Sequence, residues 1–188
     1  GGNRESLLQI APAQAIDHWI HRNCLSLQYD TTDLFMENVT FNSDIQDMNM
    51  VLDESYDYII CSHVLEHVQD DKKAMKELYR ILKKDGFGMF LVPIALDMKK
   101  IDEEWGLSDE ENWKRFGQND HCRRYSKDGF VRRLKDAGFC VHQLGKDFFG
   151  ENSYKNNGLT ETSILYVVTK KTGNIEEIIR EKRTQQSR

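Results

Sequence analysis

Two histidines and one carboxylate lie within the short segment His63-Val64-Leu65-Glu66-His67. An imidazole with a pKa near neutral pH suits proton removal from an oxygen or nitrogen nucleophile, so His63 is a candidate general base. If the segment is helical, His63 and His67 share one face and are compatible with a metal pair. No third ligand follows at short spacing, so we predict no metal site. A network that only orders the start of a helix is the alternative interpretation.

A second tract, residues 115–125, is dense in side chains that bind polar or anionic ligands. It contains His121, which is our first candidate for the general base, ahead of His63. A guanidinium group can hold a phosphate or a carboxylate. We therefore predict that Arg123, Arg124 and Tyr125 bind the substrate. A solvated loop is the alternative interpretation of this tract.

An acidic stretch, residues 97–111, precedes that tract and is long for a plain connection. Long segments of this kind are often lids or substrate loops. Trp105 lies in the stretch and Trp113 follows it, and we predict both as core residues rather than ligand contacts.

These residues follow or lie between apolar segments that alternate with amphipathic ones. The runs 58–61 and 89–94 are apolar without alternation, which is typical of buried parallel strands. The alternation predicts an α/β fold with a doubly wound, mostly parallel sheet. The predicted strands are 6–10, 25–29, 39–42, 56–61, 88–94, 139–144 and 164–169, and the predicted helices are 13–22, 70–83, one capped by Ser126 and ended by Gly138, and one in the last segment.

In such a sheet, ligands bind beyond the carboxyl ends of the strands. Ala11-Pro12 follows the first strand with small residues and no glycine. Asp30 and Asp33 follow the second, where a carboxylate can accept ribose hydroxyls, and we favour Asp33. Asp44-Ile45 follows the third and suits an adenine amino group and ring. Plain turns and an acidic surface loop are the alternative interpretations.

Composition limits the function classes. The chain has 188 residues, with 26 basic and 31 acidic ones for a net charge of −5. A negative net charge is unfavourable for nucleic-acid binding, and uncharged apolar runs such as 86–96 are too short to span a membrane. The four cysteines form no CxxC pair, which is typical of reduced thiols. We expect one cytoplasmic domain with a small-molecule partner, no nucleic acid and no membrane.

The tract 56–94, YDYIICSHVLEHVQDDKKAMKELYRILKKDGFGMFLVPI, resembles class I S-adenosylmethionine-dependent methyltransferases. The closer similarity is to a subgroup with IAP, here residues 10–12, in place of the glycine-rich turn. That subgroup also carries the element FGQxDHxRxY, matched here by residues 116–125. The resemblance extends from about residue 7 to residue 171. A nucleotide-sugar or NAD enzyme is less compatible, because a pyrophosphate needs the missing glycines.

The resemblance implies strand order 3-2-1-4-5-7-6 with the last strand antiparallel, and S-adenosylmethionine as cofactor. It implies one methyltransferase domain over residues 1–172 and a helical tail over 173–188; members of this family usually have helices before strand 1. The implied activity is methyl transfer to a small polar acceptor with an oxygen or nitrogen nucleophile. A binding module that has lost the cofactor is the alternative. The implied cofactor contacts are Ile10, Ala11 and Pro12 at the methionine end, Asp33 at the ribose, Asp44 and Ile45 at the adenine, and Ser62 and His63 beside the sulfonium.

Overall fold

A computed structural model describes the backbone of residues 4–186 and the side chains of residues 4–180. The predicted domain, residues 1–172, and the predicted tail, residues 173–188, thus include terminal residues that lie outside the described part of the chain. The strands are β1 (Ser6–Ile10), β2 (Gln28–Asp33), β3 (Phe41–Asn42), β4 (Tyr56–Ser62), β5 (Leu82–Leu91), β6 (Asp102–Glu103), β7 (Arg123–Arg124), β8 (Cys140–Leu144) and β9 (Leu165–Thr169). The helices are α1 (Gln14–Asn23), α2 (Asp71–Ile81), α3 (Asp109–Phe116), α4 (Lys127–Asp136), α5 (Lys146–Phe149), α6 (Glu151–Asn156) and α7 (Ile175–Gln186).

The central sheet has seven strands in the order β3-β2-β1-β4-β5-β9-β8. β9 is antiparallel to both its neighbours, and the other pairs are parallel. Because β8 and β9 are the sixth and seventh strands of this sheet along the chain, the predicted order 3-2-1-4-5-7-6 is confirmed. The doubly wound α/β fold class is confirmed with it. β6 and β7 form a separate antiparallel ribbon.

The core lies between the sheet and the helices that cover it. Leu8, Ile59 and Phe90 on the central strands are buried. Helix α2 presents Met75 and Leu78 to the same core cluster, because its apolar residues recur at helical spacing. Burial of this apolar surface is the main force that holds the strand ends in place.

Two strands differ from the sequence prediction. β2 begins at Gln28, three residues later than expected, and its buried residues Thr31 and Thr32 are polar. The hydroxyl of Thr40 accepts a hydrogen bond from the Thr31 amide at 2.9 Å. A buried strand of polar residues gives no apolar pattern to detect. β5 pairs with β4 from Leu82 onward, with a register shift between Tyr56 and Tyr58. Residues 82 and 83, predicted as the end of a helix, therefore belong to this strand.

None of the described helices is both long enough and apolar enough to cross a bilayer. The four cysteines, Cys24, Cys61, Cys122 and Cys140, are free thiols.

Candidate functional site

A cleft of about 650 Å³ opens at the carboxyl ends of β1, β2 and β4 and beside the loop after β3. We call it the β1–β4 cleft. Its volume falls within the usual range for small-molecule sites. The predicted cofactor residues that line it are Ile10, Ala11, Asp33, Asp44, Ile45 and His63. Pro12 and Ser62, also predicted as cofactor contacts, are the chain neighbours of Ala11 and His63.

Two non-glycine residues with left-handed backbone bound this cleft. Ala11 has φ +47° and His63 has φ +56°. The Ala11 amide donates to the carbonyl of Thr32 at 2.8 Å, and the His63 amide donates to Leu91 at 2.9 Å. Left-handed backbone costs energy for residues with a Cβ and clusters at functional sites. The turn after β1 thus adopts a conformation that glycine usually provides, with alanine as the smallest substitute.

Asp33 ends β2 and lines the cleft. Its Oδ1 accepts hydrogen bonds from the amides of Phe35 at 2.7 Å and Met36 at 2.8 Å. Among the described residues, nothing bonds Oδ2, which leaves one carboxylate oxygen for a ligand. Asp30, the other candidate, accepts a bond from the Tyr56 hydroxyl at 3.1 Å and lies outside the cleft.

Apolar side chains form the adenine end predicted from the sequence and the rim beside it. Ile45 is buried in the cleft wall, and Asp44 next to it accepts from the Gln46 amide at 2.9 Å. Phe35 is 86% exposed although it lines the cleft. An exposed aromatic at a cleft mouth suits contact with a planar ring.

Trp105 lines the cleft as well and is more than half exposed. Trp113 on α3 is exposed to a similar degree. The prediction that both tryptophans belong to the core is therefore wrong. A capping box of Ser108 and Glu111 starts α3 within the acidic stretch, three residues after Trp105.

His63 and Glu66 form a pair at the edge of the cleft. Nδ1 of His63 lies 3.2 Å from Oε1 of Glu66. The His63 side chain is 62% exposed, whereas that of Glu66 is 1% exposed. Oε2 of Glu66 is buried without a hydrogen-bond partner in the part of the chain described here. A buried carboxylate fixes the imidazole in one orientation and leaves its Nε2 toward solvent.

His121, the preferred base in the sequence prediction, is placed differently. It is buried and packs against His67, with ring centroids 4.6 Å apart. Burial lowers the pKa of His121, and the nearby His67 lowers it further. His67 lines the cleft but His121 does not, so of the two predicted bases only His63 has access to it.

The substrate-binding prediction fits Arg124 better than its neighbours. Arg123 is buried, and its guanidinium donates to the carbonyls of Leu65, Val68 and Gln69. Tyr125 is fully buried and its hydroxyl donates to Asp71. The polar groups of both residues form hydrogen bonds inside the protein, so neither side chain is available to bind a substrate. Arg124 stays partly exposed, with its guanidinium 3.7 Å from Asp97.

A buried charge network behind Arg123 was missed in the sequence. Nη1 of Arg133 donates to both carboxylate oxygens of Asp71, at 2.7 and 2.6 Å. The same guanidinium bonds Glu103 on β6, and this contact lowers the pKa of Glu103 to about 2. The network ties the start of α2 to α4 and to the β6–β7 ribbon. Sequence spacing carries no signal for it, because its partners come from distant segments.

A comparison with known proteins identifies the family. The methyltransferase domain family matches residues 8–144. The chain belongs to this family. The match covers the sheet from β1 to β8 and therefore includes every strand end that lines the cleft.

Two curated relatives share only short segments of moderate sequence identity with this chain. An uncharacterised methyltransferase of Bacillus subtilis, YcgJ, is 32% identical over 68 residues, which are 36% of this chain and 27% of that protein. The thiol S-methyltransferase TMT1B of Rattus norvegicus is 29% identical over 79 residues, 42% of this chain and 32% of that protein. The matched part is thus about a third or less of these curated relatives.

Solved structures show the same fold. An S-adenosylmethionine-dependent methyltransferase from Mesorhizobium loti superposes with a TM-score of 0.58 at 12% identity, covering 89% of this chain and 90% of that one. At this identity the superposition supports the fold and not the acceptor.

Proposed function

We propose that this protein transfers the methyl group of S-adenosylmethionine to a small polar acceptor through an oxygen or nitrogen nucleophile. The observation that carries the proposal is Asp33, which ends β2 in the β1–β4 cleft with one carboxylate oxygen unpaired among the described residues. A carboxylate at this point of a doubly wound sheet accepts ribose hydroxyls. When bound, S-adenosylmethionine supplies an electrophilic methyl group on a positive sulfur.

The cleft fits an adenosyl group on three further grounds. Its volume of about 650 Å³ is in the range of small-molecule sites. Phe35 and Ile45 provide apolar surface beside Asp44, as an adenine ring with an exocyclic amine requires. Ala11 places only a methyl side chain at the end of β1, which is next to the end of β4 that carries His63.

In the proposal, the methionine end lies along Ile10, Ala11 and Pro12. Ser62 and His63, at the end of β4, lie beside the sulfonium. The adjacent strands β1 and β4 bring these two groups together, since Ile10 pairs with Cys61. A site of this kind accelerates transfer mainly by holding the reacting atoms in line and excluding water.

His63 is the base in this proposal. Nε2 of His63 would accept the proton of the acceptor O–H or N–H, and the bound cofactor would supply the methyl group and leave as S-adenosylhomocysteine. The Glu66 carboxylate, 3.2 Å from Nδ1, holds the ring and stabilises the imidazolium that results. His121 is less suitable, because it lies outside the cleft lining. Arg124 also lies outside the cleft lining, but it is partly exposed and remains the candidate for an anionic group on the acceptor. Arg123 and Tyr125 act by positioning the loop.

We also infer that the protein is a cytoplasmic enzyme and acts on small molecules without a nucleic-acid or membrane partner. The net charge of −5 and the free thiols support this inference. The domain is inferred to extend over residues 1–172, with residues 173–188 as a helical tail.

The test is methyl transfer itself. The purified chain is incubated with methyl-labelled S-adenosylmethionine and a panel of small hydroxyl, amine and thiol acceptors, and products are followed by mass spectrometry. The proposal predicts labelled product on at least one hydroxyl or amine acceptor, with S-adenosylhomocysteine formed in equal amount. Transfer only to thiols contradicts the proposed nucleophile, and cofactor binding without transfer to any acceptor contradicts the enzyme assignment.

A further inference from the structure

Three side chains of metal-binding type meet beside the β1–β4 cleft. Glu66, His67 and His121 each bring one ligand atom to within 4.8 Å of the ligand atoms of the other two. Glu66 and His67 come from the β4–α2 loop, and His121 comes from the loop that precedes β7. The third ligand that is missing at short spacing in the sequence is therefore supplied from a distant segment.

The buried carboxylate of Glu66 points independently to a ligand at this position. Its side chain is 1% exposed, and Oε1 lies 3.2 Å from Nδ1 of His63. Oε2 is buried and has no partner among the described residues. An unpaired buried carboxylate oxygen is costly, and such groups are normally satisfied by a donor or a metal ion.

The histidine at the cleft wall is oriented as a metal ligand. Nδ1 of His67 lies 3.3 Å from the Asp120 carbonyl and 3.2 Å from its Oδ2. Nε2 of His67 is thereby directed to the other side, where it lies 4.0 Å from Oε1 of Glu66. Metal-binding histidines commonly use their second nitrogen in this way, because the bond fixes the tautomer and the ring.

The two loops that supply the ligands are fastened to each other. The Cys122 amide donates to the Glu66 carbonyl at 3.0 Å, and the Cys122 thiol donates to the same carbonyl at 3.2 Å. Arg123 donates to the carbonyls of Leu65, Val68 and Gln69. These bonds bring the side chains together without an ion, so binding costs little ordering of the loops.

We propose that Glu66, His67 and His121 bind a divalent transition-metal ion, with zinc as the best-fitting class. Two imidazoles and one carboxylate suit zinc better than magnesium or calcium, which prefer oxygen ligands alone. The thiol of Cys122 is occupied by carbonyl contacts and is not part of the set. Three protein ligands leave a fourth tetrahedral position open. Because His67 lines the cleft, the ion would lie at the cleft wall. The inference does not depend on methyl transfer.

The test measures binding of zinc and cobalt ions to the untagged full chain after treatment with a chelator. Calorimetry with Zn²⁺ is expected to give one site per chain, and Co²⁺ is expected to give the visible absorption of a tetrahedral complex. Glu66→Gln and His67→Ala should each weaken Zn²⁺ binding by more than about 100-fold, since loss of a ligand costs at least as much as loss of an outer partner. His18→Ala, at an exposed position on α1, is the matched control and should bind as the original chain does.

Buried His121 is replaced by glutamine rather than alanine, and circular dichroism verifies that each variant is folded. Absence of Zn²⁺ binding to the original chain overturns the proposal. Binding that persists within about threefold in Glu66→Gln and His67→Ala also overturns it. Calorimetry with S-adenosylhomocysteine on the same samples reports the proposed function separately, so failure of one does not imply failure of the other.

Discussion

Ala11 and His63 both take left-handed backbone, with φ +47° and +56°, directly after the neighbouring parallel strands β1 and β4. The two strained residues therefore face the same end of the sheet and bound the β1–β4 cleft together. Strain held at adjacent strand ends requires support from the surrounding structure. Here the support is the pair of backbone hydrogen bonds to Thr32 and Leu91.

Substitution at Ala11 tests this strain. Ala11→Gly relieves about 1 kcal/mol of backbone strain. It also raises the conformational entropy of the unfolded chain, which destabilises the folded state by roughly 0.4–1 kcal/mol. Its free energy of unfolding should therefore stay within about 1 kcal/mol of the original. Ala11→Val places a β-branched residue in a region it avoids and should lose roughly 1–3 kcal/mol. Urea unfolding of both variants without ligand measures the difference. Equal stabilities of the glycine and valine variants would argue against a strained turn.

Replacement of His63 separates chemistry from binding. His63→Asn tolerates the left-handed backbone but cannot accept a proton at the pH of the assay. It should lower kcat by about 10²–10⁴-fold, the usual contribution of a general base. The dissociation constant for S-adenosylhomocysteine should change little, because the ribose and adenine contacts remain. His18→Asn on α1 serves as the control, and unchanged turnover in His63→Asn would remove His63 from the role of base.

The buried pair of Asp71 and Arg133 should dominate the stability of the β4–α2 loop. Both groups are largely buried. Asp71→Asn removes the buried charge partner of the Arg133 guanidinium, which then keeps only the partly exposed Glu103, and should cost about 3–5 kcal/mol of unfolding free energy. Asp53→Asn, which disturbs the exposed ion pair with Arg80, should cost less than about 1 kcal/mol. Chemical denaturation compares the two. Similar losses in both variants would show that the buried network does not support the fold.

Glu103 gives this network a pH dependence. Hydrogen bonds from Arg133 hold its pKa at about 2 in the folded protein, below the ordinary 4.5. A lowered carboxyl pKa stabilises the fold above about pH 5, and this contribution disappears as the pH falls toward 2. Because the side chain is 40% exposed, solvent screening reduces the effect to about 1–2 kcal/mol.

Glu103→Gln should therefore be less stable than the original chain at pH 7, with the difference shrinking between pH 5 and pH 2. Urea unfolding at constant ionic strength across this range provides the measurement. A difference that stays constant with pH would mean that the carboxylate charge is not responsible.

The sequence predicts most of the fold because its central strands are continuous apolar runs and its helices have clear apolar faces. β2 is the exception, since its buried residues Thr31 and Thr32 carry no hydrophobic pattern. The amides of Thr31 and Thr40 each donate to the other residue's hydroxyl. Asp33 is predicted to follow this strand and is in fact its last residue; its place in the cofactor site follows from the family resemblance. The structure describes the hydrogen bonds of Asp33 to the amides of Phe35 and Met36. Its role in cofactor binding stays a prediction.

The site is harder to predict where it depends on contacts between distant segments. Arg123 has a side chain typical of sites that bind anionic substrates. Only the folded chain reveals that its guanidinium donates to carbonyls of the β4–α2 loop. Trp105 has a side chain typical of core residues, but in the folded chain it is more than half exposed and lines the cleft. His121 meets Glu66 and His67 through the same long-range packing, which no short motif encodes.

The most direct measurement of the central claim is calorimetry of S-adenosylhomocysteine binding to three proteins: the original chain, Asp33→Ala and Asp30→Asn. Asp33→Ala removes a charged hydrogen-bond acceptor in the cleft and should weaken binding by about 10–150-fold, equivalent to about 1.5–3 kcal/mol. Asp30→Asn alters the same strand outside the cleft and should bind as the original chain does. Absence of binding to the original chain, or equal affinity in Asp33→Ala, would contradict the adenosyl site and the enzyme assignment built on it.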